Sequence, residues 1–406
     1  MYQNRSRRPG GSRPSRGAPR PRFGNNNSNR GNKSRQPKKD YIHPSKFIRT
    51  AKPQKMETYV PEYQFADFAI NDVLKNNLTA MGFSNPSPIQ DQTIPLGLAG
   101  ADVVGIANTG TGKTAAFAVP MINRLMAEKG SKAIILAPTR ELAQQIEQQC
   151  RAIGKKSGLF GAVLIGGAAM GPQLGDLRQK PQIVIGTPGR VKDHLERGSL
   201  DLSTFNIVVL DEVDRMLDMG FVHDIREILS HASSERQSYY FSATLDGRVT
   251  SIIKDFSPMA VHISVKSGET SDNVEQNVVQ YHSHDHKLDQ LHDILIHQDT
   301  AKAIIFDDTQ RSVERLSNEL IARGFVADAI HGGKTQGQRQ RVLSKFKGNQ
   351  LKVLVATDVA ARGLDVSDIT HVINYSLPQT YDDYVHRIGR AGRAGRTGYA
   401  LTFIEK

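Results

Sequence analysis

Eight residues, Ala107-Asn108-Thr109-Gly110-Thr111-Gly112-Lys113-Thr114, combine glycines, hydroxyls and a lysine at a spacing suited to polyphosphate. They follow an apolar run, Val103–Ile106, and open onto Ala115-Ala116-Phe117-Ala118-Val119, so a buried strand turns there into a helix. Gly110 and Gly112 let backbone N–H groups close round a phosphate with no Cβ in the way, and the helix N-terminus adds partial positive charge. Lys113 is placed to reach the β and γ phosphates of a nucleotide, with the Thr114 hydroxyl on Mg2+ and Thr109 and Thr111 in the cradle. Ala107 stands where the strict pattern has glycine. A second group, Asp211-Glu212-Val213-Asp214, follows the run Ile207–Leu210. A carboxylate at the tip of a buried strand suits a magnesium partner, here Asp211 acting through water. Glu212 beside it can orient or deprotonate an attacking water. In a third group, His386-Arg387-Ile388-Gly389-Arg390-Ala391-Gly392-Arg393, Arg390 and Arg393 are three apart and share one side of a helical or turn backbone.

The elements that must position these groups are read from apolar runs that alternate with helical stretches. Val103–Ile106, Ala133–Ala137, Ala162–Ile165, Ile183–Ile185, Ile207–Leu210 and Ser238–Phe241 form one series; Ala303–Phe306, Val353–Ala356 and His371–Ile373 form a second. The alternation predicts α/β architecture, with parallel sheets carrying helices on both faces and ligands at the carboxyl ends of the strands. Between the series the pattern lapses into polar residues. The expected organisation is a tail over 1–56, a first domain over 57–265, a linker over 266–276 and a second domain over 277–406. Strand-like Tyr399–Ile404 follows near the end of the sequence.

The net charge of +12 is uneven. Residues 1–56 hold 16 lysines and arginines against one acid, Asp40, whereas the rest has 37 basic and 40 acidic residues, so a nearly neutral body carries a cationic arm. Residues 1–40 contain no Leu, Ile or Val, too little to offset ordering entropy, so disorder is predicted there. Tyr2 and Phe23 among the arginines suit stacking on bases, and the arm is read as an auxiliary nucleic-acid contact. No apolar run is long enough for a membrane span, and the single Cys150 excludes an internal disulfide and a Cys-rich metal site. A cytoplasmic protein without membrane contact is expected. Cys150 follows Leu142 and Ile146 at helical spacing, which predicts burial.

From about Tyr63 to the C-terminus, the motifs and their order resemble the DEAD-box ATP-dependent RNA helicases of superfamily 2. The resemblance implies two tandem RecA-like domains joined by a short linker. Gly82-Phe83-Ser84-Asn85-Pro86-Ser87-Pro88-Ile89-Gln90 resembles the family's Q motif, which places Gln90 on adenine and upstream Phe65 stacked on the base. Pro138-Thr139-Arg140-Glu141-Leu142-Ala143, Gly166-Gly167 and Thr187-Pro188-Gly189-Arg190 resemble its RNA-backbone motifs. Thr187 before Pro188 reads as a helix cap whose free N–H groups face a phosphate. Ser242-Ala243-Thr244 resembles the SAT motif, with hydroxyls able to bond Asp214. Gln336, Arg339 and Thr357 correspond to second-domain RNA contacts, and Arg362-Gly363-Leu364-Asp365 to motif V, with Asp365 on ribose. Arg362 and His386 join Asp214, Ser242 and Thr244 as residues coupling the two sites. Arg390 and Arg393 then act as arginine fingers. Val213 departs from the family's alanine, and Asp308 and Ser376 from its usual Asn and Asp. The implied function is an RNA-stimulated ATPase that unwinds short RNA duplexes or remodels RNA–protein complexes by domain closure, acting as a monomer with little sequence preference. The alternatives are an ATP-gated RNA clamp or chaperone with little unwinding, and a DNA helicase of the same superfamily.

Overall fold

The computed structural model describes residues 41–52, 59–108, 110–265, 270–361, 364, 366, 368–392 and 396–406. Its first sheet contains β1 (Val103–Ile106), β2 (Ala133–Leu136), β3 (Gly161–Leu164), β4 (Ile183–Gly186), β5 (Ile207–Leu210), β6 (Gln237–Ser242) and β7 (Val261–Ser264). The second contains β8 (Val274–Tyr281), β9 (Ala303–Phe306), β10 (Ala327–Ile330), β11 (Val353–Ala356), β12 (His371–Asn374) and β13 (Gly398–Glu405). The orders are β3-β4-β2-β5-β6-β1-β7 and β10-β11-β9-β12-β13-β8, with the paired strands parallel throughout. These are the two RecA-like sheets.

Unbroken apolar strands are what a sheet buried on both faces requires. In β2, Ala133 and Ile135 enter one core while Ile134 and Leu136 enter the core on the opposite face. The same two-residue period divides Ile304 and Phe306 of β9 from Ala303 and Ile305. Cys150 is buried as its spacing predicts, and burial pushes its thiol up to about 12, so it packs rather than reacts.

Two expectations need correction. Residues 266–276 are not wholly linker: β8 starts at Val274, after a 3-10 turn over Thr270–Asn273. β13 lies inside its sheet, between β12 and β8. Nor is all of 1–56 a tail. Residues 1–40 and 53–58 lie outside the described residues, but 41–52 crosses the exposed side of β8. Arg49 and Gln276 exchange backbone hydrogen bonds at 3.0 and 2.8 Å, the Ala51 N–H donates to Glu275 at 2.7 Å, and that of Lys52 to the Asp272 carbonyl at 2.8 Å. Phe47 inserts into the second-domain core, 1% exposed, its ring edge-on to Tyr384 at 4.8 Å. One apolar side chain in a basic, proline-rich context carries no periodicity, so composition assigned it to the tail.

Candidate active site and nucleic-acid interface

The loop after β1 runs into the helix Lys113–Ala127, whose cap Gly112 adopts a φ of +92°. A Cβ there would collide with the Gln90 amide, so glycine is required both for conformation and for space. Lys113 is buried and donates to the Ala107 carbonyl at 3.0 Å. The Q-motif residues clasp this loop. Ser87 Oγ donates to the Thr111 carbonyl at 2.7 Å, and Gln90 Nε2 donates to that of Gly112 at 3.0 Å. Gln90 Oε1 accepts from the Ser87 N–H at 2.8 Å. One amide hydrogen and one lone pair remain for a base. Phe65 is a core residue here, not an open stacking platform: it is 3% exposed and packs edge-on against Phe68 and Phe83. Aromatic content alone does not distinguish those two roles.

Asp211 and Glu212 follow β5. Desolvation raises the Asp211 carboxyl to about 6, Lys113 opposing it. Burial would also raise Glu212, but Arg215, Lys113 and Arg390 outweigh that and hold it below its usual value. Glu212 caps the next helix at a φ of +53°, and its Oε2 accepts no hydrogen bond, although the Arg215 guanidinium lies 3.4 Å away. A buried carboxylate pair with unspent oxygen capacity fits a divalent cation. Among the described residues, no cluster of three or more His, Cys, Asp or Glu could form an all-protein metal cage. Magnesium takes few carboxylates together with phosphates and water, and an acid pair beside a phosphate loop suits it. The acids, Gly110, Gly112, Lys113 and Thr114 border a cavity of 400 Å³ that Lys347 and Leu364 line from the second domain.

From Asp214, contacts run toward the domain boundary. Its Oδ2 accepts from the N–H groups of Ala243 and Thr244 at 3.0 and 2.9 Å and from the Thr244 hydroxyl at 3.1 Å, while its own N–H donates to Ser242 Oγ at 3.3 Å. His386 shares a cleft with Asp214, Thr244 and Arg390, and desolvation assisted by Arg215 lowers its imidazole to about 4. Arg390 is buried and donates to the Leu364 carbonyl at 2.8 Å. Val213, fully buried, packs in the first-domain core with Leu210 and Met216. Thr109, Arg362, Asp365 and Arg393 lie outside the described residues.

A groove of 380 Å³ gathers Thr139, Arg140, Thr187, Gly189 and Arg190 from the first domain with Gly332, Arg339 and Val359 from the second. Thr187 caps the helix Pro188–Glu196 without a side-chain cap bond, whereas Thr139 Oγ1 accepts from the Leu142 N–H at 3.2 Å. Gly167, at a φ of +72°, leaves room for the Arg140 guanidinium, with which a Cβ would collide. Burial lowers Arg140, assisted by neighbouring Arg339. Arg339 is committed elsewhere: it pairs with Glu141 across the domain boundary at 2.7 Å, both ends buried, and Gln336 donates to Gln144 at 3.0 Å. These two, expected on RNA, are spent on interdomain contacts in this conformation. The Thr357 carbonyl accepts from the N–H groups of Ala360 and Ala361 at 3.0 and 2.9 Å, and Val359 is the residue its loop gives the groove. Sequence reasoning missed Glu141 and Gln144 as interdomain partners. The charge match of Glu141 to Arg339 was the available signal, but nothing in the chain order brings 141 to 339.

Two RecA-like lobes meeting over a phosphate loop, a strand-end acid pair and a cationic groove define a nucleic-acid-dependent NTPase, and the chain belongs to the DEAD-box helicase family. Its residues 87–252 match the DEAD/DEAH box helicase model and 286–395 the helicase conserved C-terminal domain. It is 46% identical to the DEAD-box ATP-dependent RNA helicase CshA of Bacillus licheniformis over 84% of this chain and 70% of that one. CshA of Bacillus subtilis is 45% identical, over 84% and 69%. Among solved structures, S. cerevisiae Dbp5 bound to RNA and ADP BeF3 superposes with a TM-score of 0.75 at 30% identity, covering 84% of this chain and 89% of that one.

Proposed function

We propose that the protein is an ATP-dependent RNA helicase in which ATP hydrolysis is coupled to closure of two RecA-like domains on single-stranded RNA. The observation that carries this reading is the 400 Å³ cavity bordered by Lys113, Asp211 and Glu212 of one domain and by Leu364 of the other, whose carbonyl holds Arg390. Lys113 binds the β and γ phosphates, Glu212 takes the proton of the attacking water, and Arg390, with Arg393, meets the charge that develops on the γ phosphate. Thr114 directly and Asp211 through water would hold Mg2+, whose chemistry is to neutralise the phosphate oxygens. The Gln90 amide faces the base, and Asp365 the ribose. Thr187, Gly189, Arg190, Arg140 and Gly167 hold the RNA backbone, with Gln336, Arg339 and Thr357 on the far side once the domains rearrange around it. Backbone contacts bend one strand and strip its partner locally, so short duplexes or RNA–protein complexes are the substrates.

The domain limits follow the sheets, with 41–52 assigned to the second domain. The basic arm is an auxiliary RNA contact on a cytoplasmic monomer. No helix among the described residues is long and apolar enough to cross a membrane. Purified protein should hydrolyse ATP faster with single-stranded RNA than without it, and Lys113→Ala should abolish both rates. Equal turnover with and without RNA would overturn the coupling.

A further inference from the structure

We infer that Asp91 is a positioning residue for nucleotide recognition, holding the segment Tyr59–Phe65 against the wall that Gln90 builds on the phosphate loop. Asp91 lies in the first turn of the helix Pro88–Leu98, immediately after Gln90, and is 4% exposed. Three donors from upstream converge on its carboxylate. Oδ2 accepts from the Tyr59 hydroxyl at 2.6 Å and from the Glu62 N–H at 2.8 Å, and Oδ1 from the Tyr63 N–H at 3.1 Å. Charged acceptors form the stronger hydrogen bonds, and a helix N-terminus favours the negative charge. Tyr59 stays protonated: burial, then its bond to Asp91, push the phenol up to about 12.

The grip is local. Tyr59 is 41% exposed and Val60 83%, so little apolar packing restrains the start of the segment. Farther along, the Phe65 N–H donates to the Ser84 carbonyl at 3.3 Å, and the Phe65 ring packs on Phe83. Asp91 thus ties the upstream strip, through its carboxylate, to the first turn of the helix whose Gln90 and cap Ser87 clasp the Gly112 loop. Loss of the carboxylate releases the strip while the helix and both sheets remain, so it should weaken ATP binding rather than hydrolysis. Asparagine does not substitute, because its NH2 would face one of the N–H donors.

The proposal rests on the reading of Gln90 as base-facing, and the test separates the two. Asp91→Ala, Asp91→Asn, Tyr59→Phe and Gln90→Ala are compared in RNA-stimulated turnover of ATP and GTP, with hydrogen exchange over residues 59–65. Asp91→Ala should raise the KM for ATP about tenfold, the loss of roughly one charged hydrogen bond, with kcat within about twofold. Asp91→Asn should resemble it, and Tyr59→Phe should give a smaller rise of about threefold, absent when Asp91 is already alanine. Exchange over 59–65 should quicken. Unchanged KM and exchange in Asp91→Ala, or rescue by Asp91→Asn, would overturn the proposal, as would equal losses of kcat and kcat/KM with a lowered melting temperature. If Asp91→Ala does not fold, Tyr59→Phe decides by the same two readouts. Gln90→Ala with an unaltered ATP:GTP preference would refute base reading by Gln90, leaving KM and exchange in the Asp91 variants to judge the tether.

Discussion

Phe47→Ala should destabilise the second domain by about 3–5 kcal/mol, although the residue lies more than 200 positions before that domain's first strand in a segment whose composition reads as tail. The figure follows from its surroundings. The ring is almost wholly buried in the cluster with Val274, Ile388 and Ala400, and it stands edge-on to Tyr384. Removing it forfeits the transfer free energy of the ring, the contacts of the cavity left behind, and an aromatic pair worth about 0.5–1.5 kcal/mol. Truncation sharpens the test. A chain starting at Tyr41 should retain the stability of the full chain, whereas one starting at Pro53 loses Phe47, the pairing of Arg49 with Gln276 and the bond from Ala51 to Glu275. The assay is denaturant unfolding followed by hydrogen exchange in β8 and β13, which reports the second domain separately from the first. A loss below about 0.5 kcal/mol for Phe47→Ala, within the range of an ordinary surface change, would show that the segment is not part of that core.

Glu212→Gln should lower RNA-stimulated kcat by at least about a hundredfold while leaving ATP binding intact, which single-turnover and nucleotide-binding measurements together check. Arg339→Ala leaves Glu141 buried without its partner, a cost of about 3–5 kcal/mol to the arrangement in which the domains meet. Because that arrangement holds Arg339 off the RNA, Glu141→Gln alone should lower the RNA concentration for half-maximal ATPase stimulation, whereas Arg339→Ala also removes the RNA contact and should raise it; an unchanged value in Glu141→Gln would refute the pair. His386 has a pKa lowered from 6.5 to about 4 where the domains meet. A lowered histidine disfavours its charged form there, so this meeting of the domains is fully supported above about pH 6.5 and weakens as pH falls toward 4. Interdomain fluorescence transfer in the ligand-free protein should follow that profile, and His386→Asn should flatten it.

The chemistry was legible because it is written locally. A phosphate loop needs its glycines, lysine and hydroxyl within eight residues, and an acid pair needs only a strand in front of it, so Lys113, Thr114, Asp211 and Glu212 were readable without coordinates. The same held for β1 to β6, whose unbroken apolar runs have one meaning in a sheet buried on both faces. β7, with Val261, His262 and Ser264 exposed, was missed because a short edge strand needs apolar residues on one face only, and β10 because polar Asp328 interrupts its short apolar run.

What the tertiary structure alone decided were the pairings between distant parts of the chain. Arg339, expected on RNA, is paired with Glu141 across the domain boundary in this conformation; Phe65, expected on the base, is packed in the core in this conformation; Phe47 was assigned to the tail and belongs to the second domain. Residue type and spacing fix what a side chain can do, whereas which of several capable partners it meets depends on contacts hundreds of residues apart. Those contacts form only when burial brings the sheets and their straps together.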